Sequence, residues 1–190
     1  MIVIVEGIDR VGKSTFCKEL SKDTYWPIYK HDNKQFDYKL MDNMNETDKM
    51  LQLLDLYDGL NEQLIVGSGI IFDRFHLSDF AYGCNARKDY NESVAFDNFV
   101  SIEKRLLAMR EIVVLVLMYD SNGTMRASIE HGSSLDEIDK SMRRLYEASK
   151  LRKIMVEYKD ILKAIDAIGS SASNLEDKQN FAYRPTGHQI

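Results

Sequence analysis

Apolar positions along this chain follow two rhythms that take turns. Unbroken apolar runs stand at Ile2 to Glu6 (closed by Gly7), at Ile70 to Phe72 and at Ile112 to Met118. Runs this short and this continuous predict strands buried on both faces of a parallel sheet. Tyr25 to Tyr29 gives a weaker strand signal. Between the runs the apolar residues recur at helical spacing. Ser14 to Lys22 offers Phe16, Cys17 and Leu20, and Thr47 to Gln63 offers Met50, Leu51, Leu53, Leu54, Tyr57 and Leu60. Val94 to Met109 also predicts a helix, and Asp136 to Tyr158 predicts one long helix that is basic in its middle. Ile161 to Ile165 reads either as a fifth strand or as the continuation of that helix. Strands alternating with helices predict an α/β fold of three layers, a parallel sheet flanked by helices.

Composition narrows the classes. With 190 residues the chain is expected to form a single domain over 1–190, with a polar tail over 170–190. A net charge of −5 argues against a general nucleic-acid binder, yet a small phosphate site needs only local positive charge. Two cysteines, Cys17 and Cys84, are too few for a disulfide framework. The opening Met1-Ile2-Val3-Ile4-Val5 lacks a charged leader and is too short to cross a bilayer, so no membrane partner and a cytoplasmic location are expected. His31, His76, His131 and His188 show no metal-ligand spacing.

The chemistry enters at Gly7-Ile8-Asp9-Arg10-Val11-Gly12-Lys13-Ser14, which fits G-x-x-x-x-G-K-[ST] at every defined position, between a strand and a helix. Its glycines let successive backbone N–H groups turn into one concavity, and the helix starting near Ser14 adds its positive end. Gly7, Asp9, Arg10, Val11, Gly12, Lys13, Ser14 and Thr15 are the expected ATP-binding residues. Lys13 is placed to reach the β- and γ-phosphates, and the Ser14 hydroxyl to ligate Mg²⁺. A GTPase would read guanine with N-K-x-D. The nearest segment, Asn33-Lys34-Gln35-Phe36, lacks the aspartate.

A second motif, Asp73-Arg74, ends an apolar strand, where parallel sheets bind ligands. Asp73 is a candidate to hold Mg²⁺ through water and Arg74 to clamp a phosphate. Together, Val5 to Thr15 and Asp73-Arg74-Phe75-His76-Leu77-Ser78-Asp79-Phe80-Ala81-Tyr82 resemble the thymidylate kinase family, the first in its phosphate loop, the second in its D-R-[YF]-x-x-S-x-x-A-Y motif. The resemblance is clear from the N-terminus to Ser14 and from Ile70 to Tyr82. It implies a P-loop nucleoside and nucleotide kinase fold with a helical lid, ATP and Mg²⁺ as cofactors, a deoxynucleoside monophosphate substrate, and a homodimer as one arrangement. It also implies roles: Asp9 at the acceptor's 3′-hydroxyl, Arg10 at the transferring γ-phosphoryl, Arg74 between the two phosphates, Ser78 and Asp79 beside the acceptor nucleoside, and Tyr82 where a 2′-hydroxyl would collide. The expected catalytic set is Arg10, Lys13, Asp73 and Arg74.

Elsewhere the chain departs from that family. Its R-E-P segment is replaced by Tyr29-Lys30-His31-Asp32, leaving Lys30 and Lys34 as candidates for the acceptor phosphate, and Leu51 to Tyr57 carries no arginine. The lid is expected over 121–145, with Arg126, Arg143 and Arg144 as its candidate cations. Two other functions stay open on sequence alone. A deoxynucleoside kinase would need a carboxylate base, for which Asp32 is suitably placed, and a non-catalytic nucleotide-binding module would use the cradle without turnover.

Overall fold

Five strands, β1 (Ile2–Glu6), β2 (Ile28–Lys30), β3 (Ile70–Asp73), β4 (Val113–Tyr119) and β5 (Arg152–Glu157), form a wholly parallel sheet in the order β2-β3-β1-β4-β5 in this computed structural model. The structure describes residues 1–30, 46–61, 69–86, 92–109, 111–119, 121 and 135–170. β1 is buried along its whole length and β4 for all but its last residue. This is why both read as continuous apolar runs: each has a strand on either side and a helical layer above and below.

The helices are α1 (Lys13–Thr24), α2 (Glu46–Asn61), α3 (His76–Ala86), α4 (Glu92–Ala108), α5 (Leu135–Ala148) and α6 (161–170). α1 packs on β1, β2 and β3, while α3 packs with α4 and α5, and α4 with α2. Each buries one stripe. On α5 the buried residues are Leu135, Ile138, Met142, Leu145 and Tyr146, with Glu137, Lys140 and Arg144 on the exposed side. These layers form the three-layer α/β architecture expected from the alternation of elements.

One expected element is corrected. The predicted helix from Asp136 to Tyr158 ends at Ala148, and the fifth strand is Arg152–Glu157, not Ile161 to Ile165. Ser149 makes the break. Its N–H closes the last turn on the Leu145 carbonyl at 2.9 Å, and its Oγ accepts the Leu151 N–H at 3.2 Å, competing with the helical pattern. The same hydroxyl donates to both oxygens of buried Glu103, at 2.9 and 3.0 Å. Glu103 in turn lies 2.8 Å from His76 Nε2, so one polar cluster ties α3, α4 and the turn into β5 together. Residues 161–170 are helical, and they bury Ile161, Ile165 and Ile168 at helical spacing. Lys34, Asp32, Arg126, the lid segment 122–134 and the tail 171–190 lie outside the described residues.

Candidate active site

Strand register brings the two sequence motifs together. Val5 pairs with Asp73 across β1 and β3, so the loop after β1 and the turn after β3 leave the same end of the sheet side by side. The Arg74 N–H donates to the Val5 carbonyl at 2.9 Å and ties the second turn to the base of the first.

The loop from Gly7 to Gly12 needs its glycines. Gly7 has φ 141°, and a Cβ there would sit 2.5 Å from the Met118 carbonyl oxygen of β4. Gly12 has φ 92°, and a Cβ there would lie 2.3 Å from Cδ2 of Tyr158. The Tyr158 ring therefore walls one side of the loop where α1 begins, while remaining 51% exposed. Arg10 is itself left-handed, at φ 67°, and exposed. Gly12 stands at the N-cap of α1 without a side-chain cap, so the first amides of that helix open toward the loop.

Lys13 is only 6% exposed, and its ammonium donates to the Ile8 carbonyl of its own loop at 2.6 Å. Burial is the dominant influence and drives its pKa down to about 8, against the carboxylates of Asp73 and Glu6, which pull it up. The Ser14 hydroxyl donates to Asp73 Oδ2 at 3.0 Å, which sets a hydroxyl oxygen and a carboxylate oxygen next to each other. Lys30, at the end of β2, stands 3.8 Å from the same carboxylate oxygen.

On the β3 side a second group faces the loop. Arg74 Nη2 donates to Asp9 Oδ1, and the Tyr82 hydroxyl donates to Asp9 Oδ2 at 3.0 Å. The Arg74 guanidinium also lies over the Tyr82 ring, 4.9 Å from its centre. Arg74 reaches this position from a left-handed backbone, φ 72°. Asp9, Arg74 and Tyr82, drawn from three places in the sequence, thus form one part-buried cluster beside the phosphate loop.

The remaining expected site residues are placed as follows. Ser78 is buried, and its hydroxyl donates to Glu6 Oε2. Asp79 lies half-buried in the first turn of α3, where an acid complements the helix dipole. Arg143 pairs with Asp139 at 2.8 Å and lies over the ring of Tyr119. Arg144 helps line a cavity of about 780 Å³ among α3, α4 and α5, with Phe80, Cys84 and Phe96. Val11 is buried and Thr15 is exposed at the start of α1. Two residues escaped the sequence reading: Glu6, a strand-ending acid whose partners are far along the chain, and Tyr158, which lay within a predicted helix. A carboxylate inside an otherwise apolar buried strand was the available signal for Glu6.

No protein-family model matches the chain, and no curated protein matches it. Solved structures do. The YorR protein of Bacillus subtilis, solved in complex with phosphorylated GDP, matches with a TM-score of 0.61 at 20% identity, over 97% of this chain and 100% of that one. Deoxyadenosine kinase from M. mycoides with bound dATP matches with a TM-score of 0.54 at 19% identity, over 91% of this chain and 100% of that one. Thymidylate kinase from Ehrlichia chaffeensis matches with a TM-score of 0.53 at 12% identity, over 88% of this chain and 98% of that one. The fold is that of P-loop nucleoside and nucleotide kinases. Among the described residues no helix is long and apolar enough to cross a membrane.

Proposed function

We propose that this chain transfers the γ-phosphoryl group of ATP to a deoxynucleoside monophosphate, dTMP or a related pyrimidine nucleotide. The observation that carries this is the pairing of a phosphate loop with the Asp9–Arg74–Tyr82 cluster, with Lys30 close to Asp73. A donor held in the loop and an anionic acceptor held at Arg74 and Lys30 would meet over cations that neutralise the charge on the group in transit. The acceptor oxygen needs no base, because a phosphate monoester has its second pKa near 6. Tyr82, fixed by Asp9, stands as a wall on the acceptor side that favours a sugar lacking a 2′-hydroxyl.

The residues present also suit Mg²⁺. Ser14 and Asp73 offer adjacent oxygen donors, the ligand type that a hard cation takes. Mg²⁺ would therefore share Ser14, a water on Asp73 and the phosphate oxygens themselves. Bound there, it supplies neutralisation of phosphate charge. Lys13, Arg10 and Arg74 then carry the remaining positive charge.

The likeness to deoxyadenosine kinase supports a second reading, transfer to the 5′-hydroxyl of a deoxynucleoside. An uncharged hydroxyl needs a general base, which would be Asp32. Initial rates with ATP and Mg²⁺ on dTMP, dUMP and thymidine separate the two. The proposal expects turnover of a monophosphate, a raised KM for it in Lys30→Ala, and a modest loss in Asp32→Asn. Phosphorylation of thymidine with dTMP inert, together with a loss of about 10²–10⁴-fold in Asp32→Asn, would overturn it.

A further inference from the structure

The carboxylate of Glu6 is buried within the site, yet the proposed chemistry makes no use of it. Glu6 closes β1 immediately before the phosphate loop and is 0% exposed. Its Oε1 accepts the Phe75 N–H at 2.9 Å and the Leu77 N–H at 3.0 Å, while Oε2 accepts the Ser78 hydroxyl. The Phe75 donor lies in the turn between β3 and α3, and the Leu77 and Ser78 donors in the first turn of α3. The first amides of a helix have no partner within it and carry the positive end of its dipole, so a carboxylate from another strand caps α3 with charge-assisted bonds.

The residue before these donors is Arg74. A non-glycine residue at φ 72° is held there only when its surroundings over-determine it. Here they do. Arg74's own N–H is bound to Val5, and the next N–H along the chain is bound to Glu6. Both peptides around Arg74 are thus pinned to the last two residues of β1. That conformation carries its guanidinium to Asp9 of the phosphate loop.

We propose that Glu6 is a positioning residue: its carboxylate clamps the β3–α3 turn, holds Arg74 in its left-handed conformation, and so couples the phosphate loop to the acceptor clamp. This rests on the reading of Arg74 as the group between the two phosphates.

A double-mutant cycle on kcat tests it. Glu6→Ala is expected to lower kcat by about 10²-fold in the native background, the scale of a lost electrostatic donor, with KM for ATP changing less. In an Arg74→Ala background the same change should cost less than about threefold, since there is no guanidinium left to misplace. Glu6→Gln should lose less than about tenfold, because its amide oxygen can accept both N–H groups while its NH₂ donates to Ser78. Equal losses from Glu6→Ala in both backgrounds would mark a merely structural role and overturn the proposal. Should Glu6→Ala fail to fold, Ser78→Ala removes one of the three bonds and enters the same cycle with the same expected asymmetry. Amide exchange at Phe75 and Leu77 is read in parallel. Faster exchange in whichever variant folds is expected, and unchanged protection overturns the clamp whether or not the chain phosphorylates anything. If wild type turns over no acceptor while exchange behaves as expected, the kinase reading fails and the clamp stands.

Discussion

Lys13 is the residue whose perturbation follows most directly from the geometry. Its amine sits at the base of the phosphate loop, 6% exposed, with its ammonium held by a single carbonyl at 2.6 Å. Burial lowers its pKa from 10.5 to about 8. At 1.36 kcal/mol per unit this is a penalty of about 3 kcal/mol on the charged form in the unliganded protein. A polyphosphate placed in the loop supplies the missing counter-charge and must raise that pKa again. Binding above pH 8 is therefore coupled to uptake of a proton. Near pH 8 the uptake should be about half a proton per nucleotide, rising toward one by about pH 9. The ligand's own terminal phosphate, with a pKa near 6, has finished titrating by then and does not confuse the signal.

Calorimetric titration of the protein with ATP, without Mg²⁺ and in buffers of different ionisation heat, reads the protons directly. The affinity should be nearly level between about pH 7 and 7.5 and fall by up to tenfold per unit above pH 8, until the pKa of the bound state is reached. Lys13→Met should abolish both the uptake and the phosphoryl transfer. The same shift sets the sign for stability. Between pH 8 and 10.5 the unfolded chain binds more protons at this position than the folded one, so this group's contribution to stability rises with pH across that window. Lys13→Met should accordingly melt no lower than wild type at pH 7, because it removes a buried charge. Nucleotide affinity that stays level from pH 7 to 9.5 with no proton uptake would refute the reasoning.

Three further outcomes follow from single contacts. The Tyr82 hydroxyl donates to Asp9 while its ring supplies bulk, so Tyr82→Phe should keep the preference for dUMP over UMP and Tyr82→Ala should lose it, as measured by the ratio of kcat/KM values; equal use of both sugars by wild type would refute the steric argument. Gly12→Ala should lower Tm and weaken nucleotide binding together, since it puts a Cβ against Tyr158 at a φ of 92°. Adding Tyr158→Ala should recover part of the Tm but not the backbone strain of about 1–2 kcal/mol. Burial works to raise the pKa of Glu103, but bonds from His76, Ser149 and the Lys150 N–H outweigh it and hold the carboxyl below its usual 4.5. Its stabilising contribution is present above that value and is lost as pH falls through the lower folded pKa, so the denaturation midpoint should fall as the pH is taken below 4.5, and Glu103→Gln should flatten that fall.

The parts of this protein that were legible in its sequence are those specified by neighbours a few residues away. β1 and β4 announce themselves because burial on both faces demands an unbroken apolar run. The phosphate loop announces itself because the φ values of Gly7 and Gly12 exclude most other residues. Asp9, Arg74 and Tyr82 were named together through the motifs they share with a known family, and they do converge. What remained hidden is specified by contacts across tens of residues. β5 carries Arg152 and Lys153 and follows an amphipathic helix without a glycine or proline, so its pattern reads as more helix; the stop is Ser149, whose hydroxyl is engaged by a glutamate 46 residues earlier. The resemblance puts Ser78 beside the acceptor, and the bond from its hydroxyl to Glu6, 72 residues away, is a contact no local pattern announces.

That last contact changes how the motif is understood. Within D-R-[YF]-x-x-S-x-x-A-Y, the arginine and the tyrosine face the phosphate loop through Asp9, whereas the serine faces the strand beneath it. Ser78 and Tyr82 lie one turn apart on the same face of α3, so the one at the helix start meets Glu6 at the end of β1 and the other meets Asp9 in the loop that follows. The motif therefore encodes two things at once: side chains that meet Asp9 in the loop after β1, and an anchor that fixes their backbone to β1 itself. Moving Arg74 without disturbing the loop would require breaking the anchor, and the bonds to Val5 and Glu6 oppose that motion. The loop after β1 and the turn after β3 are thus tied together by backbone bonds as well as by the Asp9–Arg74 pair.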